Sequence, residues 1–170
     1  MRISVIIPSY QTAAYLEETL LSVLEQKYPD LELLVIDGGS TDGSIDILRK
    51  YEKHLAFWVS EPDRGQTHAI NKGLQKMTGD AWMYLNSDDI LLPGFLQTVE
   101  HYFKDPSIVW ISGTADTFAS NGVCGEIVPV PARTASEYLR PWGRSHSYLF
   151  PFSDACFMRR SVYEKLGRLG

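Results

Sequence analysis

The stretch ISVIIPSYQTAAYLEETLLSVLEQKYPDLELLVID, from Ile3 to Asp37, runs through two hydrophobic periods in turn. Ile3–Ser9 is a short apolar, β-branched run that ends around Pro8, the pattern of a strand buried on both faces. From Ala13 to Lys27 the period becomes helical. Leu16, Leu20, Val23 and Leu24 fall at i, i+4, i+7 and i+8, and Pro29 lies just past the end. Leu31–Asp37 then reads as a second strand. Strand, helix and strand in immediate succession predict a parallel pairing with the helix packed across it.

The same alternation continues outward. GGSTDGS is a turn rich in glycine and cap residues, and Ile45, Leu48 and Tyr51 mark the next helix. Leu55–Ser60 reads as a strand, Ile70, Leu74 and Met77 as the stripe of a helix, and Asp80–Asn86 as a fourth strand. Phe95, Val99, Tyr102 and Phe103 give another helical face, with Pro93 suited to its first turn, and Ile108–Gly113 a fifth strand. The expectation is an α/β fold, a mostly parallel sheet with helices on both faces.

Past Thr114 the rhythm changes. Asn121-Gly122 sits between two strand-like runs, a hairpin signal. A long segment follows from Pro129 to Pro151, with a capping-box pattern at Thr134–Glu137. Phe152–Met158 reads as a last strand, with a helix from near Ser161. The chain divides on this basis into residues 1–114 and 115–170 within one compact domain.

Composition bounds the function. A chain of 170 residues, 44% hydrophobic and 22% charged, fits one globular domain. Its net charge of −5 argues against a nucleic-acid partner, which requires a basic surface. Cys124 and Cys156 have neither CxxC spacing nor a histidine pattern, so zinc is not expected and both read as reduced thiols. MRISVIIPSY is too short and too early broken by proline for a signal peptide or a membrane span.

In an open parallel sheet, ligands bind at the carboxyl ends of the strands. Those ends present Pro8-Ser9-Tyr10-Gln11, then Asp37 with GGSTD, then Glu61-Pro62-Asp63-Arg64, then Asn86-Ser87-Asp88-Asp89. Three of the four carry carboxylates, an arrangement that repels itself unless a cation joins it. NSDD directly after an apolar strand suits Mg²⁺ or Mn²⁺, which takes one or two carboxylates and completes its shell with water and phosphate oxygens. The competing reading is a helix N-cap. GGSTDGS is neither a P-loop nor a dinucleotide fingerprint; Ser40 or Thr41 reads as a cap and Asp37 as the functional member, aimed at a base or ribose. In SEPDRGQTHAINKGL, Arg64 and His68 stand where a helix begins, placed to hold phosphate, while Lys72 and, just past the stretch, Gln75 suit a solvated face.

Taken together, SVIIPSYQTAAYLEETLLSVLEQKYPDLELLVIDGGSTDGS, SEPDRGQTHAINKGL and TGDAWMYLNSDDILLPG resemble the family 2 glycosyltransferases, enzymes of GT-A fold. The resemblance runs from about Ile3 to Phe103 and resumes at FMRRSVYEKLG. It implies inverting transfer of a sugar from a nucleotide-sugar donor, usually UDP- or dTDP-linked, to a hydroxyl of a saccharide or lipid-linked acceptor, assisted by Mn²⁺ or Mg²⁺. By position, Pro8, Ser9 and Tyr10 would flank the base, Asp37 face base and ribose, and Arg64 reach the donor. Asp89 would be the metal ligand, and Asp88 would contact ribose or metal. A cytoplasmic enzyme, with peripheral association at the inner membrane face an open option, is the setting it implies; oligomeric state stays open.

Two departures stand out. Many members carry a second acid after the first, where this chain has Gly38. The family's general base lies in an acidic motif beyond the FMRRSVYEKLG segment, so it is expected past Gly170, in a longer enzyme. Asp154 is the one carboxylate near the last strand end; it reads as a stand-in base or, preferably, as a structural or acceptor-contacting group. Trp142 and Arg144 are candidates to meet the acceptor, against the alternative of an ordinary surface loop. The rival functions are a nucleotide-binding fragment without turnover and a sugar nucleotidyltransferase. The latter needs a glycine-rich, basic loop after the first strand, which SYQTAAYLEE does not supply.

Overall fold

The computed structural model describes residues 1–112 and 156–169. Strands β1 (Ile3–Ser9), β2 (Leu31–Asp37), β3 (Phe57–Ser60), β4 (Ala81–Tyr84), β5 (Trp110–Ser112) and β6 (Cys156–Arg159) form one sheet in the order β3-β2-β1-β4-β6-β5. Helices α1 (Ala13–Leu24), α2 (Ser44–Tyr51), α3 (Gln66–Lys76), α4 (Phe95–Tyr102) and α5 (Arg160–Leu166) alternate with them, with a 3₁₀ turn at Glu52–His54. The hairpin at Asn121-Gly122, the 129–151 segment with Trp142 and Arg144, and Asp154 lie outside the described residues.

The central strands β1, β2 and β4 are buried on both faces because apolar side chains dominate both, with Ser4, Ser9, Glu32 and Asp37 the buried polar exceptions, whereas the edge strand β3 is half-buried. Ile3, Val5 and Ile7 of β1 join Leu33 and Val35 of β2 in a core shared with Leu16 and Leu20 of α1 and Leu96 and Val99 of α4. Ile6, Leu34, Ile36 and Trp82 point the other way, against Ala69, Ile70 and Leu74 of α3. At roughly 1.5–3 kcal/mol per fully buried large aliphatic side chain, these two layers are the main stabilising term. Gly73 lets α3 lie directly on β1, since a Cβ there would run into Ile6 Cγ2.

Several expectations shift. The first helix stops at Leu24, short of Lys27, whose φ of 48° is left-handed. Pro93 stands ahead of α4, which starts at Phe95 after Gly94 in the αL region. Neither Ser40 nor Thr41 caps α2. The N-cap position is Gly43, with no side-chain cap bond; Asp42, just ahead of it, accepts from Ser44 N at 3.1 Å and Ser44 Oγ at 2.7 Å, while its other oxygen accepts from Ala13 N at 2.8 Å and so ties the starts of α2 and α1 together. The largest difference is β6. It enters antiparallel between β4 and β5, so these two strands never pair with each other.

The chain order places a crevice at the sheet's carboxyl edge. β1 pairs in parallel with β2 through Ser9↔Asp37, but with β4 only as far as Ile6↔Tyr84. Ile6 O still accepts from Leu85 N at 2.9 Å. Two residues on, the backbone faces the same side again, and there Pro8 has no N–H with which to extend the ladder. β1 and the chain after β4 therefore part, at the point where the strand order reverses.

Candidate functional site

A cavity of about 670 Å³ opens at that point. Pro8, Ser9, Tyr10 and Thr12 line it from β1 and the turn after it, and Gly38 from the end of β2. Asp63, Gly65 and Gln66 close one side, and Asn86, Ser87 and Asp88 the other.

The turn after β1 is fixed in an unusual backbone state. Gln11 has φ of 55°, uncommon for a residue with a side chain. It is held there by bonds to the β2–α2 loop: Gln11 N donates to Ser40 Oγ at 2.8 Å, Gln11 Nε2 to Thr41 Oγ1 at 3.1 Å, and Thr41 N to Gln11 Oε1 at 3.2 Å. The consequence is that Tyr10, 62% exposed, stands beside the cavity instead of in the core.

The carboxylates expected to crowd the strand ends separate into distinct environments. Asp37 is completely buried. Its Oδ2 accepts from Gly39 N at 3.0 Å, Ser40 N at 2.8 Å and Ser60 Oγ at 2.6 Å, and its Oδ1 accepts from Ser40 Oγ at 2.6 Å. It ties β2, β3 and the glycine loop together and is not among the cavity-lining residues. Glu61 pairs with Lys72 at 2.8 Å, and that hydrogen-bonded ammonium holds its carboxyl below the usual range. Asp63 uses Oδ1 to accept from Gly65 N at 2.7 Å, which starts α3.

The NSDD stretch does not cap a helix, because α4 begins only at Phe95. Asp88 is exposed on the cavity wall. Asp89 is half-buried, and its Oδ2 accepts from Asn86 Nδ2 at 2.9 Å, while Asn86 Oδ1 accepts from Gln66 Nε2 at 2.5 Å. A chain of amides thus joins α3 to the acidic pair. The loop beyond is clamped by Ser22 of α1 and by Gln26 just past its end: Leu91 N donates to Ser22 Oγ at 3.0 Å and Phe95 N to Gln26 Oε1 at 3.0 Å, and Gln26 Nε2 donates to Leu92 O at 2.9 Å. Two adjacent carboxylates, one open to the cavity and one oriented by an amide, fit a hard divalent cation that draws its other ligands from water and a diphosphate. Among the described residues, no three His, Cys, Asp or Glu side chains converge.

The remaining sites divide. Pro8, Ser9, Tyr10 and Asp88 come together on the cavity; Asp37, Arg64 and Asp89 do not line it. Arg64 is exposed, and its backbone N donates to His68 Nδ1 at 3.2 Å, so that ring nitrogen is engaged within the loop. Gln66 and Thr12 carry no sequence signal for this site, Thr12 standing just before α1 and Gln66 at the first position of α3. Gln66 carries no charge or motif to mark it; the cavity wall and the cross-loop bond to Asn86 show its place.

The fold and this edge cavity define a GT-A protein, and residues 4–167 match the model of Glycosyl transferase family 2, to which the chain belongs. An uncharacterized glycosyltransferase of Nostoc sp. is 29% identical over 171 residues, covering 98% of this chain and 53% of the relative. The mannosyltransferase PcManGT from Pyrobaculum calidifontis, solved with GDP-Man and Mn²⁺, is 25% identical with a TM-score of 0.74, covering 99% of this chain and 47% of its own. S. aureus TarS 1-349, solved with UDP-GlcNAc, has a TM-score of 0.72 at 23% identity and shares the fold, over 97% of this chain and 47% of its own. The chain therefore spans about half the length of these relatives.

Proposed function

We propose that the chain is the nucleotide-sugar-binding part of an inverting glycosyltransferase, and that its donor is a UDP- or dTDP-linked sugar. The observation that carries this reading is the cavity at the strand-order reversal, with an exposed aromatic ring at one wall and the Asp88 carboxylate at the other. An aromatic face suits a base, and a carboxylate pair suits the cation of a diphosphate. Pro8, Ser9 and Tyr10 hold the base side. Asp37 shapes the loop beneath it, and Arg64 reaches over the donor phosphates. Asp88 and Asp89 would hold Mn²⁺ or Mg²⁺, which when bound would neutralise charge on the departing diphosphate.

In the transfer, the acceptor hydroxyl attacks the anomeric carbon from the face opposite the diphosphate. The bond to the diphosphate oxygen breaks, and the proton passes to a carboxylate base. That base is proposed to lie beyond residue 170, with Asp154 the alternative; residues 1–114 form the donor half, and the 115–170 part, through Trp142 and Arg144, faces a saccharide or lipid-linked acceptor. Because the chain spans about half of its relatives, a nucleotide-binding fragment without turnover is the second reading. Among the described residues no helix is long and apolar enough to cross a membrane, and a cytoplasmic enzyme, working at the inner membrane face, is part of the proposal.

Calorimetric titration with UDP, with and without Mn²⁺, tests the donor site on wild type and Asp89→Ala. Metal-dependent binding that the variant loses supports the reading. Binding indifferent to metal and to the variant removes the metal from Asp89. No binding of UDP, dTDP or GDP under any condition overturns the donor site.

A further inference from the structure

We propose that Asp63 reads the nucleobase, admitting bases with an imino N–H, such as uracil, thymine and guanine, and rejecting cytosine and adenine. This rests on the nucleotide reading of the cavity given above.

Asp63 Oδ1 is committed to Gly65 N, which fixes the carboxylate plane. Among the described residues, no hydrogen bond reaches Oδ2, although the residue is half-buried and lines the cavity. What leaves that oxygen open is the missing side chain at position 38. A Cβ on Gly38 would lie 3.2 Å from Asp63 Oδ2 and 3.2 Å from Tyr10 Cδ2. Glycine is not needed there for its backbone, because Gly38 does not share the positive φ of Gly39, at 87°. It is needed for space. Its bare backbone forms a floor with an aromatic ring and an open carboxylate oxygen both within contact range of one point.

The neighbouring acid cannot do the same work. All of Asp37's observed acceptor bonds face the protein, and it is fully buried. An ionised carboxylate only accepts hydrogen bonds. A base lying along Tyr10 must therefore present a donor to Asp63 Oδ2. At the same ring position uracil and thymine present N3–H and guanine N1–H, whereas cytosine N3 and adenine N1 are lone-pair acceptors, which would leave two acceptors facing each other in a partly desolvated site; their amino groups would meet Oδ2 only with the base shifted along its own plane.

The test is calorimetric titration of UDP and CDP in the presence of Mn²⁺ on wild type, Asp63→Asn and Gly38→Ala, with melting temperatures as a control. Wild type is expected to bind UDP at least about tenfold more tightly than CDP. Asp63→Asn keeps an oxygen for Gly65 N but turns an NH₂ toward the base, so UDP should weaken, CDP strengthen, and the ratio collapse or invert. Gly38→Ala sets a methyl against Oδ2 without backbone strain and should weaken UDP more than CDP. Equal binding of UDP and CDP by wild type overturns the inference while leaving the nucleotide site standing. An equal loss of both in Asp63→Asn, with a lowered melting temperature, reduces Asp63 to a helix-start residue and overturns it too. Failure of wild type to bind either nucleotide, or GDP, removes the site and the inference together.

Discussion

The two ends of the central strands both carry acids, and they treat them in opposite ways. At the amino end, Glu32 is 3% exposed and saturated: it accepts from Ser4 Oγ at 2.5 Å, Thr78 Oγ1 at 2.6 Å, Thr78 N at 2.7 Å and Gly79 N at 3.2 Å, and pairs with Arg2 at 3.2 Å. Gly79 is tight against Ser4, where a Cβ would collide with the hydroxyl. At the carboxyl end, Asp88 is exposed and one oxygen of Asp63 has no protein donor among the described residues. The same side-chain chemistry closes the structure at one edge and is left open at the other. Asp37 shows that the distinction is not simply one of position, because it lies at the open edge and is nonetheless closed.

Breaking a closed acid should cost stability, and breaking an open one should not. The largest effect is expected at Asp37→Ala, which strands the backbone N–H groups of half-buried Gly39 and buried Ser40 together with two hydroxyls. Urea unfolding should show a loss of about 3 kcal/mol or more. Glu32→Gln should follow at about 2 kcal/mol near neutral pH. Its sign can be checked with pH. Burial pushes the Glu32 carboxyl up, but the bonds from Ser4 and Thr78 outweigh it, so its folded pKa lies below the ordinary value. A depressed pKa gives stability that is present above the unfolded value, near 4.3, and lost as pH falls through the folded one. The wild type should therefore shed this contribution in acid, and the Glu32→Gln difference should shrink as the pH drops below about 4. A difference that grew in acid would contradict the assignment. Asp88→Asn should be smallest on stability, within about 0.5 kcal/mol.

The residues differ in how far this contrast could be read before folding. The β1–α1–β2 alternation is legible because period and burial coincide: every β1 residue from Ile3 to Ser9 is buried, and Leu16, Leu20 and Val23 of α1 are too. The insertion of β6 is not legible, because CFMR looks like any short apolar strand and its place between β4 and β5 is chosen by pairing across distant sequence. Asp37 and Asp63 look alike in sequence, each just past an apolar run. What separates them is Ser60 Oγ arriving from the next strand and the empty space over Gly38, both of which depend on register. The NSDD ambiguity is half resolved by the helix start at Phe95, which leaves the stretch in a loop facing the cavity.

The most direct test is where a paramagnetic metal–nucleotide sits on the chain. β1 spans seven residues, so the two edges stand about 20 Å apart. Addition of Mn²⁺ with UDP to the isotopically labelled protein should broaden the amides of Gly38, Asp63, Asn86 and Asp88 first and leave those of Ser4, Glu32, Thr78 and Gly79 sharp. Asp88→Asn should fold normally and lose that selectivity. Broadening centred on the Glu32 edge, or spread evenly over both edges, would contradict the account.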